Sequence, residues 1–262
     1  MNNNLRIAAI PLDIVSFDKK VNLLNVGQAL ASLPADTDIA VLPELFSTGF
    51  VNDAAIMGDL AETNTGQTMQ TIASLAAKYN MAIAGSYVAR SGHKIYNRAF
   101  FVEPSGEQTF YDKHHLFCIS AEAKVFGHGS DIMPVVRFRG WNIGMIVCYD
   151  LRFPVWCRNR GYAYDILLIP ANWPSVRAYA WEHLLIARAI ENQAVVVGAN
   201  RGGSDEYGEY DSLSSVYDSA GRPVGYPLEN SRIIMADVSL EDVERNRQKL
   251  PTIQDADDFE LK

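Results

Sequence analysis

The sequence predicts an α/β protein, a four-layer α-β-β-α sandwich of two stacked mixed sheets related by a pseudo-twofold internal repeat. Three observations carry this reading. The order strand, helix, strand, helix, strand, strand occurs twice along the chain. The strands are near-continuous runs of Val, Ile, Leu and Ala, the pattern of strands covered on both faces. Equivalent points of the two copies share local sequence, the mark of a structural repeat.

The first unit opens on a strand at residues 6–10, followed by a helix at 21–33. Its second strand begins Asp38-Ile39 and runs to Pro43, with Phe46 three positions on; the counterpart begins Asp165-Ile166 and runs to Pro170, with Trp173 at the same offset. Met69, Ile72, Leu75 and Tyr79 then share one helical face, and residues 81–85 read as a strand. In the second unit Trp181, Leu184, Leu185, Arg188 and Ala189 lie in a helix over 178–192, before a strand at 194–198. Each unit closes on a strand and a tight turn, Glu103-Pro104-Ser105-Gly106 in one and Asp218-Ser219-Ala220-Gly221 in the other. The second unit's opening strand, 143–147, predicts a following helix at about 154–160. No linker rich in Gly, Ser or Pro interrupts the chain, so residues 1–262 are expected to form one domain. A polar arm at about 250–262 is expected to pack on the surface or on a partner subunit.

Composition excludes several functions. With 48% hydrophobic and 21% charged residues, the 262-residue chain is ordinary globular material rather than disordered. A net charge of −8 without a Lys/Arg cluster argues against nucleic acid or an anionic membrane as partner. No apolar window reaches the roughly 18 residues of a membrane span, and the N-terminus lacks the features of a signal peptide. Cys118, Cys148 and Cys157 form no C-x-x-C pair, which fits a reducing, cytoplasmic setting. Five scattered histidines lack metal-ligand spacing, and phosphate- and dinucleotide-binding loops are missing, so neither metal nor cofactor is expected.

Three polar residues stand at the C-terminal ends of predicted strands, where open α/β sheets bind ligands. Glu44 follows the strand ending at Pro43, Lys113 follows residues 109–112, and Cys148 follows residues 143–147. Each alone has an ordinary reading: a loop carboxylate, a solvated lysine, a small core residue. Together they form a nucleophile, a base and a cation. A helix start after Cys148 would favour its thiolate, Glu44 could serve as base if shielded, and Lys113 with the Tyr149 N–H could hold an oxyanion.

Leu42-Pro43-Glu44, Tyr111-Asp112-Lys113-His114-His115-Leu116-Phe117 and Cys148-Tyr149-Asp150-Leu151-Arg152-Phe153-Pro154 resemble the three catalytic motifs of the nitrilase, or carbon-nitrogen hydrolase, superfamily. Similarity at Ala171-Asn172-Trp173-Pro174 and in the closing residues 251–261 extends to its bacterial omega-amidase branch. The resemblance implies the sandwich fold, with Glu44 as general base, Lys113 as oxyanion stabiliser and Cys148 as nucleophile. It also implies a second glutamate at Glu122 and a homodimer or larger homo-oligomer. The implied substrates are short dicarboxylate monoamides such as 2-oxoglutaramate and 2-oxosuccinamate. Deaminated glutathione, a carbamoyl amine or a nitrile would suit the same triad, and a non-catalytic binding protein on this fold is the alternative from another class. An acidic protein holding an anionic substrate needs a local cation. Arg177, four residues after Trp173, is the expected carboxylate ligand, with the Trp173 ring walling the carbon chain and Arg201 the next candidate.

Overall fold

The computed structural model describes residues 3–120, 122–129 and 132–260. The first half contains strands β1 (Asn4–Ala9), β2 (Ile39–Val41), β3 (Ala82–Ser91), β4 (Lys94–Val102) and β5 (Gln108–Asp112), with helices α1 (Lys19–Ala31), α2 (Ala54–Leu60), α3 (Gln67–Tyr79) and α4 (Glu122–Val125). The second half contains β6 (Val135–Phe138), β7 (Trp141–Met145), β8 (Ile166–Ala171), β9 (Val195–Asn200), β10 (Gly202–Asp205), β11 (Gly208–Asp211), β12 (Ser215–Tyr217), β13 (Tyr226–Pro227) and β14 (Ile234–Ser239), with helices α5 (Ala178–Asn192) and α6 (Leu240–Lys249).

Among these residues one sheet has the order β13-β14-β1-β2-β3-β4-β5 and the other β12-β9-β8-β7-β6. The internal repeat is visible in the pairing. β1, β2 and β3 are mutually parallel and β4 returns antiparallel; β7, β8 and β9 are likewise parallel and β12 returns antiparallel. Leu5, Ile7 and Ile39 of the first sheet meet Trp141, Ile143, Ile166 and Val195 of the second in one buried cluster, so the sheets stack face to face. On the outer face of the first sheet lie α1, through Leu23, Val26 and Leu30, and α3, through Met69, Ile72 and Ala76. Against the outer face of the second lies α5, through Trp181, Leu185 and Ala189. The result is the four-layer arrangement. Equivalent glycines serve it in both halves: a Cβ on Gly85 would stand 3.0 Å from Leu42 and Phe100, and one on Gly198 only 2.6 Å from Trp181.

One predicted helix is not formed. After Phe153 the chain makes a single turn, with Trp156 and Cys157 N–H groups both donating to the Phe153 carbonyl. It stops there because the Asn159 N–H is taken by the Asn192 side chain, while Asn159 Nδ2 holds the Tyr164 and Asn192 carbonyls. Gly161 then turns away at φ +57°. The arm after α6 packs on this same surface as far as Phe259. Ile253 is buried, the Leu250 carbonyl accepts from Gln193 Nε2 and the Arg160 guanidinium lies over the Phe259 ring at 4.4 Å. Leu261 and Lys262 lie outside the described residues. No helix among the described residues is long and apolar enough to cross a membrane.

Candidate active site

The strand ends of both sheets converge on one pocket, enclosing about 740 Å³ counted to its open mouth. Glu44, Lys113, Glu122, Cys148, Tyr149, Trp173 and Arg177 all line it, so the structure brings together every predicted site residue except Arg201. Glu44 stands three residues beyond β2 and Lys113 directly beyond β5. Cys148 stands three beyond β7, opening a 3-10 turn that runs Cys148–Arg152.

The charged groups form one buried cluster. Lys113 Nζ lies 2.8 Å from Glu44 Oε1, and 2.8 and 3.0 Å from the two Glu122 oxygens. Burial alone would push the Lys113 ammonium down, but the carboxylates of Glu122 and Glu44 outweigh it and hold its pKa well above the ordinary lysine value. Lys113 therefore stays charged. Glu122 is buried at the start of α4, and it also accepts the Phe117 N–H at 2.5 Å. Glu44 is fixed at both oxygens. Oε1 also accepts from Asn97 Nδ2 at 2.7 Å, and Oε2 accepts the Asn172 N–H at 2.9 Å.

Cys148 has φ +44°, a left-handed conformation costly for a residue with a Cβ, of order 1–3 kcal/mol. Leu45, directly after Glu44, shares it at φ +46°. Such sharp turns after a strand project the adjoining side chains into the pocket rather than along the sheet. The expectation that helix amides favour the thiolate is corrected here. With no helix at 154–160 and the cysteine buried, desolvation and the neighbouring Glu44 charge push its thiol well above the usual cysteine value, against the opposing pull of Lys113.

Trp173 is buried and clamped. Its N–H donates to Asn200 Oδ1 at 2.7 Å, its carbonyl accepts from Asn200 Nδ2, and its indole N–H donates to the Arg177 carbonyl at 2.9 Å. Arg201 is a second correction. It is buried away from the pocket lining, paired with Asp205 at 2.6 Å and donating to the Gly202 and Ile14 carbonyls. It anchors the β10–β11 hairpin, whose Asp205, Tyr207 and Tyr210 form a further wall of the pocket. Sequence reasoning missed Asn97, Asn172 and this hairpin. The available signal for the first was the polar pair Asn97-Arg98 within the otherwise apolar run from Ile95 to Val102 in β4. Among the described residues no group of three or more His, Cys, Asp or Glu could hold a metal ion.

The chain belongs to the carbon-nitrogen hydrolase family, which it matches over residues 6–248. It is 39% identical over 259 residues to omega-amidase YafV of Escherichia coli K12, covering 98% of each chain. It is 32% identical to the 2-oxoglutaramate amidase of Bacillus subtilis 168, covering 95% of this chain and 96% of that one. The crystal structure of XC1258 from Xanthomonas campestris, a CN-hydrolase superfamily protein with an arsenic adduct in its active site, superposes with a TM-score of 0.92 at 37% identity over 99% of both chains. The protein is a hydrolase of carbon–nitrogen bonds that acts on amides.

Proposed function

We propose that the protein is an omega-amidase that hydrolyses the terminal amide of 2-oxoglutaramate-type dicarboxylate monoamides. The observation that carries this reading is the burial of a thiol, a carboxylate and a charged lysine in one pocket, at the ends of three strands. Likeness along the full chain to an omega-amidase and a 2-oxoglutaramate amidase supports the substrate class.

Glu44 takes the Cys148 thiol proton as Sγ attacks the amide carbonyl, and Lys113 Nζ with the Tyr149 N–H holds the oxyanion. Glu44 then returns the proton to the departing nitrogen, which leaves as ammonia with a thioester on Cys148. Water, deprotonated by Glu44, attacks the thioester; collapse expels the thiolate, which recovers a proton, and releases the carboxylic acid. Glu122 keeps Lys113 oriented and Arg177 receives the substrate carboxylate beside the Trp173 ring. The test is release of the carboxylic acid product across 2-oxoglutaramate, glutamine, deaminated glutathione and a simple nitrile, with mass analysis for an acyl adduct on Cys148. A preference for any other member of the panel removes the substrate; the adduct on another residue removes the nucleophile.

The reading includes a homo-oligomer and a cytoplasmic location. Exposed Tyr179 and Ile190 on one face of α5 support the former, and light scattering tests it.

A further inference from the structure

Two guanidinium groups of the pocket are uncommitted. Arg152 and Arg177 both line it, and among the described residues neither side chain donates a hydrogen bond or pairs with a carboxylate. Every other charged group there is occupied. Glu44 and Glu122 are held by Lys113, while Asp205 takes Arg201, the Tyr207 N–H and the Tyr210 hydroxyl. The pocket thus offers two free cations and no free anion.

One tryptophan places both arginines. Arg152 lies over the Trp173 ring, 4.7 Å from its centre, and the Trp173 indole N–H holds the Arg177 backbone carbonyl. The Arg177 guanidinium in turn lies over the Phe117 ring at 5.3 Å. A guanidinium held over a ring by cation–π attraction does not spend its N–H donors on that contact. Trp173, fixed by Asn200, therefore seats the Arg152 guanidinium and holds the backbone that carries Arg177, whose own guanidinium rests on Phe117.

We propose that Arg152 and Arg177 form a two-armed clamp that makes the enzyme select 2-oxo acid monoamides over the corresponding amino acids. The clamp rests on the function proposed above. A 2-oxo acid presents a carboxylate and an adjacent ketone oxygen, a planar edge of acceptors that two forks can share. An amino acid replaces the ketone with an ammonium group, which meets no free carboxylate in this pocket and faces two like charges instead. Discrimination arises by repulsion of the wrong substrate as well as attraction of the right one.

The experiment compares kcat/KM for 2-oxoglutaramate, glutamine and uncharged butyramide in wild type, Arg152→Gln and Arg177→Gln. In each variant the preference for 2-oxoglutaramate over butyramide should fall by about 10–100-fold, the weight of a charge-assisted hydrogen bond, and the preference over glutamine should narrow. Arg152→Lys keeps the charge without the fork; it should recover part of the discrimination against glutamine and little of the preference over butyramide, and it serves if Arg152→Gln fails to fold. An unchanged ratio in the Arg152 variants, or a parallel fall on all three amides, overturns the clamp. A wild-type enzyme that turns over butyramide but not 2-oxoglutaramate removes the substrate reading instead.

Discussion

Asp150 Oδ1 lies 2.8 Å from both the backbone nitrogen and the ring Nδ1 of His115, so one buried carboxylate ties the segment after Lys113 to the turn that bears Cys148. Its other oxygen accepts from the Tyr111 hydroxyl at 2.9 Å and the Val147 N–H at 3.1 Å. A carboxylate with no exposed surface persists because donors meet both its oxygens. Lysine and cysteine are thus placed against each other by a shared anchor as well as by their strands. His115 is part of that anchor, stacked on Phe153 at 3.6 Å, and is directed away from base chemistry.

Asp150→Asn should therefore cost stability and rate together. It turns one acceptor into a donor facing other donors, a loss of about 1–3 kcal/mol, read by denaturant titration. kcat should fall more than KM rises, because the two reacting groups drift apart while the substrate pocket persists. Unchanged stability would show that Asp150 is not the anchor.

Cys148→Ala should abolish turnover in a folded protein. Cys118 is exposed and its alanine variant should be kinetically silent. Cys157 is fully buried, with its thiol donating to the Asp150 carbonyl at 3.3 Å, so Cys157→Ala should retain activity at a lower melting temperature. Activity within tenfold of wild type in Cys148→Ala would end the nucleophile assignment.

Glu44→Gln should lose about 10²–10⁴-fold in kcat as an acid-base group, and Lys113→Ala about 10²–10³-fold as an oxyanion donor. Asn97→Ala should fall between these and wild type, since it removes one of the donors that aim Glu44, itself oriented through the Ser86 hydroxyl at 2.8 Å. If His114→Ala or His115→Ala matched the loss in Glu44→Gln, a histidine base would have to replace the glutamate.

The parts of the site that could be read in the sequence share one property. Glu44 and Cys148 each follow an apolar run and Lys113 directly follows β5, and strand ends are legible from local pattern. Glu122 was reachable only through family resemblance, because it opens a four-residue helix too short to show periodicity. Arg201 was misread because its partner Asp205 lies in a hairpin whose register no local pattern gives. The helix expected at 154–160 failed for a similar reason. Asn159 looks helix-compatible alone, and its capture by Asn192 is a contact between segments 33 residues apart. Arg152 sat in plain view inside a motif, but that its guanidinium would rest on Trp173 depends on the meeting of two strand-end loops.

The protonation state of Cys148 gives the last prediction. Burial and Glu44 push its thiol well above the usual cysteine value, so the mechanism proposed above starts from a thiol whose proton Glu44 takes as Sγ attacks. In a Cys118→Ser background, the rate of iodoacetamide alkylation should stay low at neutral pH and inflect above the ordinary cysteine value of about 8.5. The signs of two variants follow. Glu44→Gln removes a negative neighbour that disfavours the thiolate, so its inflection should move to lower pH even as turnover is lost. Lys113→Met removes the cation that favours the thiolate, so its inflection should move higher. An inflection below pH 7 in the Cys118→Ser enzyme would mean that the thiolate is formed before substrate arrives, leaving Glu44 to act only on the leaving group and the hydrolytic water, and an upward shift in Glu44→Gln would mean that Glu44 favours the thiolate instead of opposing it.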